Sequence, residues 1–475
     1  MDELPDLLWL SLESVRADHT PMYGYERDTT PAIRSLAEEP GSNVLDNGIA
    51  QSLWTPASSA SMLTGTYLST HQVGQDGKAN VHLSSLLTLP ELLQDIGYET
   101  ALFTPNPFVS EATGLDRGFN HTKSVKAVPE SYSPRHEDVL DYWIEGLRRI
   151  FQSRAIDLAR TKHELKTTEN EVLQRHAKRW LKSTRTENSP FFAYAHIPGP
   201  HHPYLPNADY VDCFTDDIAF STEEAYSLVK EIYYGGSDEI KREIATGLDL
   251  SHNEWDAIEA MYDATLKHMD QTVEEIVSTA RSESDDLILV VVGDHGELFG
   301  EHGVIGHNLV LHEKLIRVPM VVSGIPDVVT DEDTMTQQID LTRTLAEITG
   351  VVRDQFEGQD IRDSERKYGV SQYGQADFKA YLEYNQGFDI GRFFEKPYTM
   401  VTDGEYKLAT NVERTELYRL PDETTDVSEL KENHLQRLSG VLKDHDIEWD
   451  RNDEYENSEF TESQIEQLKD LGYLS

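Results

Sequence analysis

The sequence has very little cysteine, and this scarcity limits the classes of fold that it can form. Among 475 residues there is one cysteine, Cys213, which lies between Asp212 and Phe214. A single thiol forms no disulfide within its own chain, so a disulfide-stabilised secreted scaffold is excluded. The fold must depend on a buried hydrophobic core, for which a chain of this length with 38% hydrophobic residues is sufficient.

Long apolar runs are absent as well. The N-terminal segment, MDELPDLLWLSLES, has no basic region and only a short apolar run, and nowhere do about 18 apolar residues follow one another. We therefore predict a soluble, cytoplasmic protein that does not insert stably into a membrane. The sequence leaves the oligomeric state open.

Basic residues are scarce relative to acidic ones. The chain has 42 Lys and Arg against 86 Asp and Glu, which gives a formal net charge of −44 at pH 7. Such a charge repels the phosphate backbone, so nucleic acid is not expected as a partner. The acidic residues are spread along the chain, and concentrated salt would screen their mutual repulsion. This distribution predicts a halophilic protein.

The sequence does contain an alternation of short apolar runs with helical patterns. The runs at 7–12, 191–195 and 287–292 have the length and composition of buried parallel strands. Such alternation predicts an α/β fold with a mostly parallel central sheet flanked by helices. Ligands of such folds bind beyond the carboxyl ends of the strands.

The pattern changes twice along the chain. Residues 126–190 are charged and helical in pattern, which predicts an insertion that packs beside the sheet or covers the site. After residue 385 the alternation gives way to short strands and then helices. We therefore predict a catalytic domain over residues 1–385 and a small α+β C-terminal subdomain over residues 386–475.

The stretch WTPASSASMLTG, residues 54–65, predicts a short helix loaded with hydroxyl groups. As structure, Thr55 is an N-cap, with Pro56 at the first helical position and Gly65 just past the end. As chemistry, the Thr55 hydroxyl lies at the positive end of the helix dipole, beside free N–H groups that favour a phosphate or sulfate. On these residues alone the cap is the simpler of the two interpretations.

A dense group of polar residues follows the apolar run at 287–292. The chain reads GDHGE at 293–297 and continues to Gly306-His307. Aspartate and histidine at the end of a buried strand offer an oxygen and a nitrogen ligand to one divalent ion. Glu13, at the end of the first predicted strand, adds a carboxylate. The alternative is a polar turn in which His295 bonds only a backbone carbonyl.

A third candidate is the loop HIPGPHHPY, residues 196–204, which follows the predicted strand at 191–195. It contains His196 and His201. Three histidines among prolines suit a rigid loop that presents imidazoles to an anion, and the alternative is a proline-rich turn with surface histidines.

In order and spacing, these segments resemble the sulfatase family of the alkaline phosphatase superfamily. The resemblance extends over nearly all of the chain. It implies an alkaline-phosphatase-like sandwich and hydrolysis of sulfate or phosphate esters through a covalent enzyme intermediate at a metal site. The matching segments are 13–18, 23–25, 29–31, 57–65, 97–101, 116–119, 200–204, 294–297, 316–319, 416–418 and 468–474.

Two segments depart from the family pattern. Sulfatases carry, at the position of Thr55, a cysteine or serine that is converted to formylglycine within Cys/Ser-x-Pro-x-Arg. Here the proline falls one place early and Ser59 stands in place of the arginine, so we expect no formylglycine. The segment that binds sulfate through lysine and histidine in sulfatases reads FTPNP at 103–107, which leaves Asn106 as its polar candidate.

Threonine at this position is typical of phosphodiesterases, lipoteichoic acid synthases and phosphoethanolamine transferases of the superfamily. The metal set of the last two groups is matched one for one by Glu13, Thr55, Asp294 and His295. The resemblance therefore implies one divalent ion. The mixed carboxylate and imidazole ligands favour Mn or Zn, with Ca or Mg as alternatives.

Other site residues follow from the same resemblance. Asn106, His196 and His201 are the predicted substrate-binding residues. His201 or His307 is the predicted acid that protonates the leaving group, because an imidazole titrates near neutrality.

We predict a metal-dependent hydrolase of sulfate or phosphate esters that uses Thr55 as its nucleophile and acts on a small-molecule or glycan ester. The family favours a sulfate ester, whereas unmodified threonine favours phosphorus, because it lacks the aldehyde-hydrate route by which sulfatases expel sulfate. One alternative is a phosphoryl-group transferase or phosphodiesterase that acts on a glycan or lipid-linked substrate. Another is a catalytically inactive, metal-binding homologue.

Overall fold

A computed structural model describes residues 4–74, 85–124, 158–183, 189–233 and 236–444, together with residues 449, 462 and 465. Its strands are β1 Asp6–Leu12, β2 Ser42–Val44, β3 Asn47–Ile49, β4 Glu99–Thr104, β5 His121–Ser124, β6 Phe191–Ile197, β7 Leu287–Gly293, β8 Leu298–Phe299, β9 Ile305–Gly306, β10 Met320–Ser323, β11 Met335–Gln337, β12 Gly369–Tyr373, β13 Tyr398–Thr402, β14 Tyr406–Thr410 and β15 Thr415–Arg419.

The α-helices alternate with these strands over much of the chain. They are α1 Pro31–Ala37, α2 Thr55–Thr64, α3 Leu68–His71, α4 Leu89–Asp95, α5 Leu158–Ser183, α6 Thr222–Tyr233, α7 Ser237–Thr246, α8 His252–Glu283, α9 Glu313–Ile316, α10 Gln338–Thr349, α11 Lys379–Tyr384 and α12 Glu432–Asp444.

The predicted apolar strands lie in the middle of one large sheet. Seven strands pair in the order β2-β10-β7-β1-β6-β4-β5. The strand β10 is antiparallel to both of its neighbours, and the other pairs are parallel. The prediction of an α/β fold with a mostly parallel central sheet is confirmed.

Both faces of this sheet are covered. Successive side chains of a strand point to opposite faces, so alternate residues of β1 belong to different hydrophobic clusters. Leu8, Leu10 and Leu12 of β1 belong to a hydrophobic cluster that includes residues of α8. Leu7 and Trp9 belong to a second cluster, which includes residues of α10. All five side chains are buried, so each face of the sheet supports its own core.

Four strands form a second, antiparallel sheet in the order β12-β13-β14-β15, against which α12 packs. This sheet fits the expected α+β character of the C-terminal part. Its first strand, Gly369–Tyr373, precedes residue 385, where we predicted the subdomain boundary. The antiparallel sheet therefore begins earlier than the change in sequence pattern indicates.

Part of the predicted insertion at 126–190 forms α5, whereas residues 126–157 and 184–188 lie outside the described residues. Leu173, Ala177 and Trp180 of this helix are buried. The Trp180 ring lies 6.0 Å from that of Phe103 on β4 and 5.8 Å from that of Phe191 on β6. This helix therefore packs beside the sheet. Within the described residues, no helix combines the length and apolar character needed to cross a membrane.

Candidate functional site

The carboxyl ends of neighbouring parallel strands bring the predicted residues to one edge of the sheet. Asp294 and His295 follow β7, Glu13 follows β1, His196 lies near the end of β6, and Asn106 follows β4. These strands are consecutive in the sheet, so residues distant in sequence meet in space. All five side chains are buried. This is the edge at which open α/β sheets bind their ligands.

Backbone contacts fix Glu13 and Asp294 beside each other. The Asp294 N–H donates to the Leu12 carbonyl at 3.0 Å, and the Ser14 N–H donates to Asp294 Oδ1 at 2.9 Å. Ser14 has a φ of 59°, a left-handed conformation that is uncommon outside glycine and often occurs at functional sites. A Cβ on Gly199 would lie 2.1 Å from the Glu13 carbonyl oxygen, so only glycine fits there.

Thr55 is the first residue of α2, and the N-cap position belongs to Trp54. The helix thus begins one residue earlier than the N-cap interpretation of Thr55 requires. The Thr55 Oγ1 atom lies 2.9 Å from Asp294 Oδ2, 3.4 Å from Glu13 Oε1 and 3.4 Å from His295 Nε2. Two carboxylates, one imidazole and one hydroxyl therefore converge at the N-terminus of a ten-residue helix.

The chemistry of these groups suits a divalent cation. His295 Nδ1 lies 2.8 Å from the Gly296 carbonyl, which only accepts, so Nδ1 carries the hydrogen and Nε2 carries the lone pair. This arrangement is the usual one for a metal-ligating histidine. The carboxylates of Glu13 and Asp294 approach the same hydroxyl in a buried place, where their negative charges favour a cation.

Asn106 and His196, which we predicted to bind substrate, both contact Glu13. The Asn106 amide donates to Glu13 Oε1 at 2.8 Å, and His196 Nε2 lies 3.7 Å from the same oxygen. Burial opposes ionisation of Glu13, but the nearby His196, together with His201 and His295, outweighs burial and holds the pKa of this carboxyl well below its usual range. The two residues thus favour an ionised Glu13.

A cluster of three histidines lies next to this group. His201, His202 and His307 each offer a ring nitrogen within 4.8 Å of the other two. The His307 ring centre lies 4.5 Å from that of His295, so the cluster borders the predicted metal ligands. Burial lowers the pKa of His201, and it lowers the pKa of His307 to about 3.

The hydrogen-bond partners of His201 and His307 give these rings different roles. His201 Nδ1 lies 2.8 Å from the His202 carbonyl, so the hydrogen is on Nδ1 and Nε2 is an acceptor. His307 Nδ1 lies 3.0 Å from Glu297 Oε1. Burial raises the pKa of Glu297 to about 8, which favours a neutral carboxyl that donates to Nδ1, with the His307 hydrogen on Nε2. His307 is then the donor of the pair.

Glu297 and His202 were not assigned a role from the sequence, although both lie within the motifs that carry the family resemblance. A cavity of about 200 Å³ adjoins the cluster and is lined by Trp54, His202 and His307, together with residues of α7, β12 and α11. No pattern in the sequence indicated that α7, β12 and α11 reach the site.

Comparison with known proteins identifies the family of the chain. The family model for sulfatases matches residues 5–351. A second model, described as the C-terminal part of N-sulphoglucosamine sulphohydrolase, matches residues 300–444.

Two curated relatives carry sulfatase names. An N-acetylglucosamine-6-O-sulfatase of Bacteroides thetaiotaomicron is 24% identical over 45% of this chain, and a choline-sulfatase of Rhizobium meliloti is 23% identical over 68% of it. The matches span 34% and 63% of the lengths of these relatives, respectively.

A solved structure gives the same picture of the fold. The phosphonate monoester hydrolase of Agrobacterium radiobacter superposes with a TM-score of 0.68 at 18% identity, covering 93% of this chain and 96% of that one. With a family model that extends over most of its length, and with the expected residues gathered at the edge of its sheet, the chain belongs to the sulfatase family.

Proposed function

We propose that the protein is a metal-dependent hydrolase of sulfate or phosphate esters and that Thr55 is its nucleophile. The observation that carries this proposal is the position of Thr55 Oγ1, within 3.4 Å of Glu13, Asp294 and His295. A hydroxyl that only capped a helix would have no need of two buried carboxylates and an oriented imidazole around it.

Glu13, Asp294 and His295 would hold the metal, with Thr55 completing the set. A divalent ion held there would lower the pKa of the Thr55 hydroxyl and polarise the ester oxygens. Carboxylate and imidazole ligands together favour Mn or Zn over Ca or Mg. Asn106 and His196 support this site indirectly, because they keep Glu13 ionised and oriented.

Thr55 begins the reaction by attacking phosphorus or sulfur opposite the ester oxygen. The Thr55 hydrogen bond to Asp294 Oδ2 gives its proton an acceptor as the new bond forms. The bond to the ester oxygen breaks, and the leaving oxygen takes a proton from His307 Nε2 while the Glu297 carboxyl passes its own proton to His307 Nδ1. The free N–H groups at the start of α2 stabilise the remaining oxygens.

Water completes the cycle: its oxygen bonds the phosphorus or sulfur atom, the bond to Thr55 Oγ1 breaks, and Oγ1 takes back its proton from Asp294. The neutral His201 accepts through Nε2, which suits it to take a proton from the attacking water. We therefore assign His307 as the donor in the first step and His201 as the acceptor in the second.

The choice between sulfur and phosphorus depends on the missing formylglycine. The names of the two curated relatives favour a sulfate ester of a sugar or of another small molecule. An unmodified threonine favours a phosphate or phosphonate ester, because the group must leave by direct hydrolysis. The first experiment is therefore a panel of N-acetylglucosamine 6-sulfate, choline sulfate, phosphate monoesters, phosphate diesters and phosphonate monoesters, each assayed with Mn, Zn, Mg and Ca.

The test of the nucleophile uses the best substrate from this panel. Thr55→Ala is expected to fold and to lose activity by several orders of magnitude, whereas Thr55→Ser retains part of it. Thr64→Ala is the matched control, because it removes another buried threonine hydroxyl from the last turn of the same helix. A folded Thr55→Ala protein with turnover within tenfold of wild type, about 1.4 kcal/mol in barrier, would overturn the assignment.

A further inference from the structure

The cavity beside the histidine cluster has walls from several elements. Ser237, Ile240 and Lys241 come from α7, Ala380 and Tyr381 from α11, and Tyr373 from the end of β12. Trp54, which precedes the proposed nucleophile, and the histidines His202 and His307 line its inner end. A group that occupied this cavity would therefore lie beside Trp54 and His307, next to the place proposed for the ester.

The size and walls of the cavity suit a single ring with hydroxyl groups. Its volume of about 200 Å³ is below the roughly 300–1,000 Å³ of pockets for drug-sized molecules. Trp54, Tyr373 and Tyr381 provide apolar aromatic surface, and Ser237 and Asn308 provide hydrogen-bonding groups. Aromatic surface combined with a few polar groups is the usual composition of a site for a small polar ligand.

Lys241 is the only lysine or arginine among the described residues that line this cavity. It is partly buried, and within the described part of the chain its ammonium forms neither an ion pair nor a hydrogen bond. The adjacent Arg242 is more exposed and pairs with Glu239 and Glu243 on its own helix. Lys241, which lines the cavity, is thus available to a ligand, whereas Arg242 is already paired.

The absence of an acidic partner for Lys241 within the described residues is notable because the chain is strongly acidic. The chain has about two carboxylates for every basic side chain, so acidic partners for a lysine are abundant. The other charged residue that lines the cavity, Asp377, is exposed and accepts the Lys379 N–H at 2.9 Å. Lys241 is partly buried and Asp377 is exposed, so solvent screens the carboxylate more strongly and the Lys241 wall of the cavity attracts an anion.

We propose that Lys241 is a specificity residue for a second anionic group on the substrate. The substrate class is then a sugar that carries a sulfate or carboxylate on its ring in addition to the ester that reacts at Thr55. This inference rests on the proposed function, because it takes Thr55 as the place where the ester lies.

The experiment measures binding rather than turnover. N-acetylglucosamine 6-sulfate and its N-sulfated counterpart share one ring, and the second carries a sulfate on nitrogen where the first carries a neutral acetyl group. Calorimetry with the metal-loaded Thr55→Ala protein, which is expected to bind an ester without turning it over, gives a Kd for each, and the Lys241 and Arg242 substitutions are made in this parent protein. We expect the N-sulfated sugar to bind about tenfold more tightly at fixed salt, as one charge-assisted hydrogen bond allows. Lys241→Gln is expected to remove this difference and Lys241→Arg to retain it.

Arg242→Gln is the control, because it deletes one positive charge from the neighbouring position without touching the cavity. A general effect of net charge would change binding equally in Lys241→Gln and Arg242→Gln, and that result would overturn the proposal. Equal affinity of the parent protein for the two sugars, or failure to bind either, would also overturn it. A preserved preference without turnover of any ester would instead contradict the proposed function and leave the anion site supported.

Discussion

His71 makes the helix that carries Thr55 sensitive to acid. This residue ends α3, is fully buried, and accepts the Val73 N–H through Nδ1 at 3.1 Å. Because a backbone N–H only donates, the hydrogen of the ring is on Nε2, which lies 2.9 Å from Ser61 Oγ on α2. Protonation would place a hydrogen on Nδ1 and break the bond to Val73.

Burial lowers the pKa of His71 from 6.5 to about 3. A histidine with a lowered pKa in the folded state stabilises the protein fully above its unfolded pKa, and this contribution is lost as the pH falls from about 6.5 toward 3. Applied to pH 5, the shift implies a loss of about 2 kcal/mol relative to pH 7. This is a large fraction of the free energy of unfolding of a typical domain.

The assay is urea unfolding at pH 7 and pH 5, at one salt concentration, for the wild type and His71→Asn. The asparagine oxygen replaces Nδ1 as acceptor for Val73 and does not titrate, so this variant should lose about 2 kcal/mol less than the wild type between the two pH values. His252→Asn is the control, because the His252 side chain is 90% exposed. If His71→Asn lost as much stability as the wild type, the reasoning from burial would be wrong.

Two further predictions concern the metal and the salt. Metal analysis of the purified protein is expected to give one divalent ion per chain, which Asp294→Asn loses and His202→Asn keeps; the opposite pattern would place the ion in the histidine cluster. The melting temperature is expected to rise with KCl, because the screening length falls from about 30 Å at 0.01 M to about 3 Å at 1 M while the net charge stays at −44. An unchanged melting temperature between millimolar and molar KCl would contradict the halophilic interpretation.

The central sheet was predictable because its middle strands are buried on both faces. The runs at 7–12, 191–195 and 287–292 form β1, β6 and β7. A strand that is covered on both sides buries almost all of its side chains, so its sequence is a nearly continuous apolar run. Parallel neighbours then end at a common edge, which is why Glu13 and Asp294 meet although 281 positions separate them in the chain.

The first strand of the C-terminal sheet was not predictable in the same way. Its sequence, GVSQY, places Ser371 and Gln372 in a fully buried strand. These side chains bond the backbone of other segments, Ser371 to the Ala50 carbonyl at 2.5 Å and Gln372 to the Ser69 N–H at 2.8 Å. Such contacts offset the cost of burying polar groups, but periodicity along the strand does not reveal them.

The candidate site likewise contains residues that the sequence predicts and one that it does not. Glu13, Thr55, Asp294 and His295 lie at strand and helix ends, where local sequence patterns indicate function. Lys241 lies in the middle of a helix with no motif around it, and its relevance appears only because α7 packs against α11 beside the histidines. The residues proposed to bind the reacting ester are thus readable from the sequence, whereas the residue proposed to select the rest of the substrate depends on tertiary packing.

The net charge of the chain affects how an anionic substrate can reach and bind the proposed site. A chain with a net charge of −44 repels an anionic ester at long range, so attraction must come from groups close to the bound molecule. The proposed metal, the N-terminus of α2 and Lys241 are such groups, and all of them act over a few ångströms.

Concentrated salt screens the repulsion between the acidic surface and an approaching substrate, because those charges lie farther apart than the screening length of about 3 Å at 1 M. It weakens contacts within a partly buried site much less. We therefore expect high salt to favour both the folded state and the approach of an anionic substrate, so an acidic surface is compatible with the proposed anion-binding site.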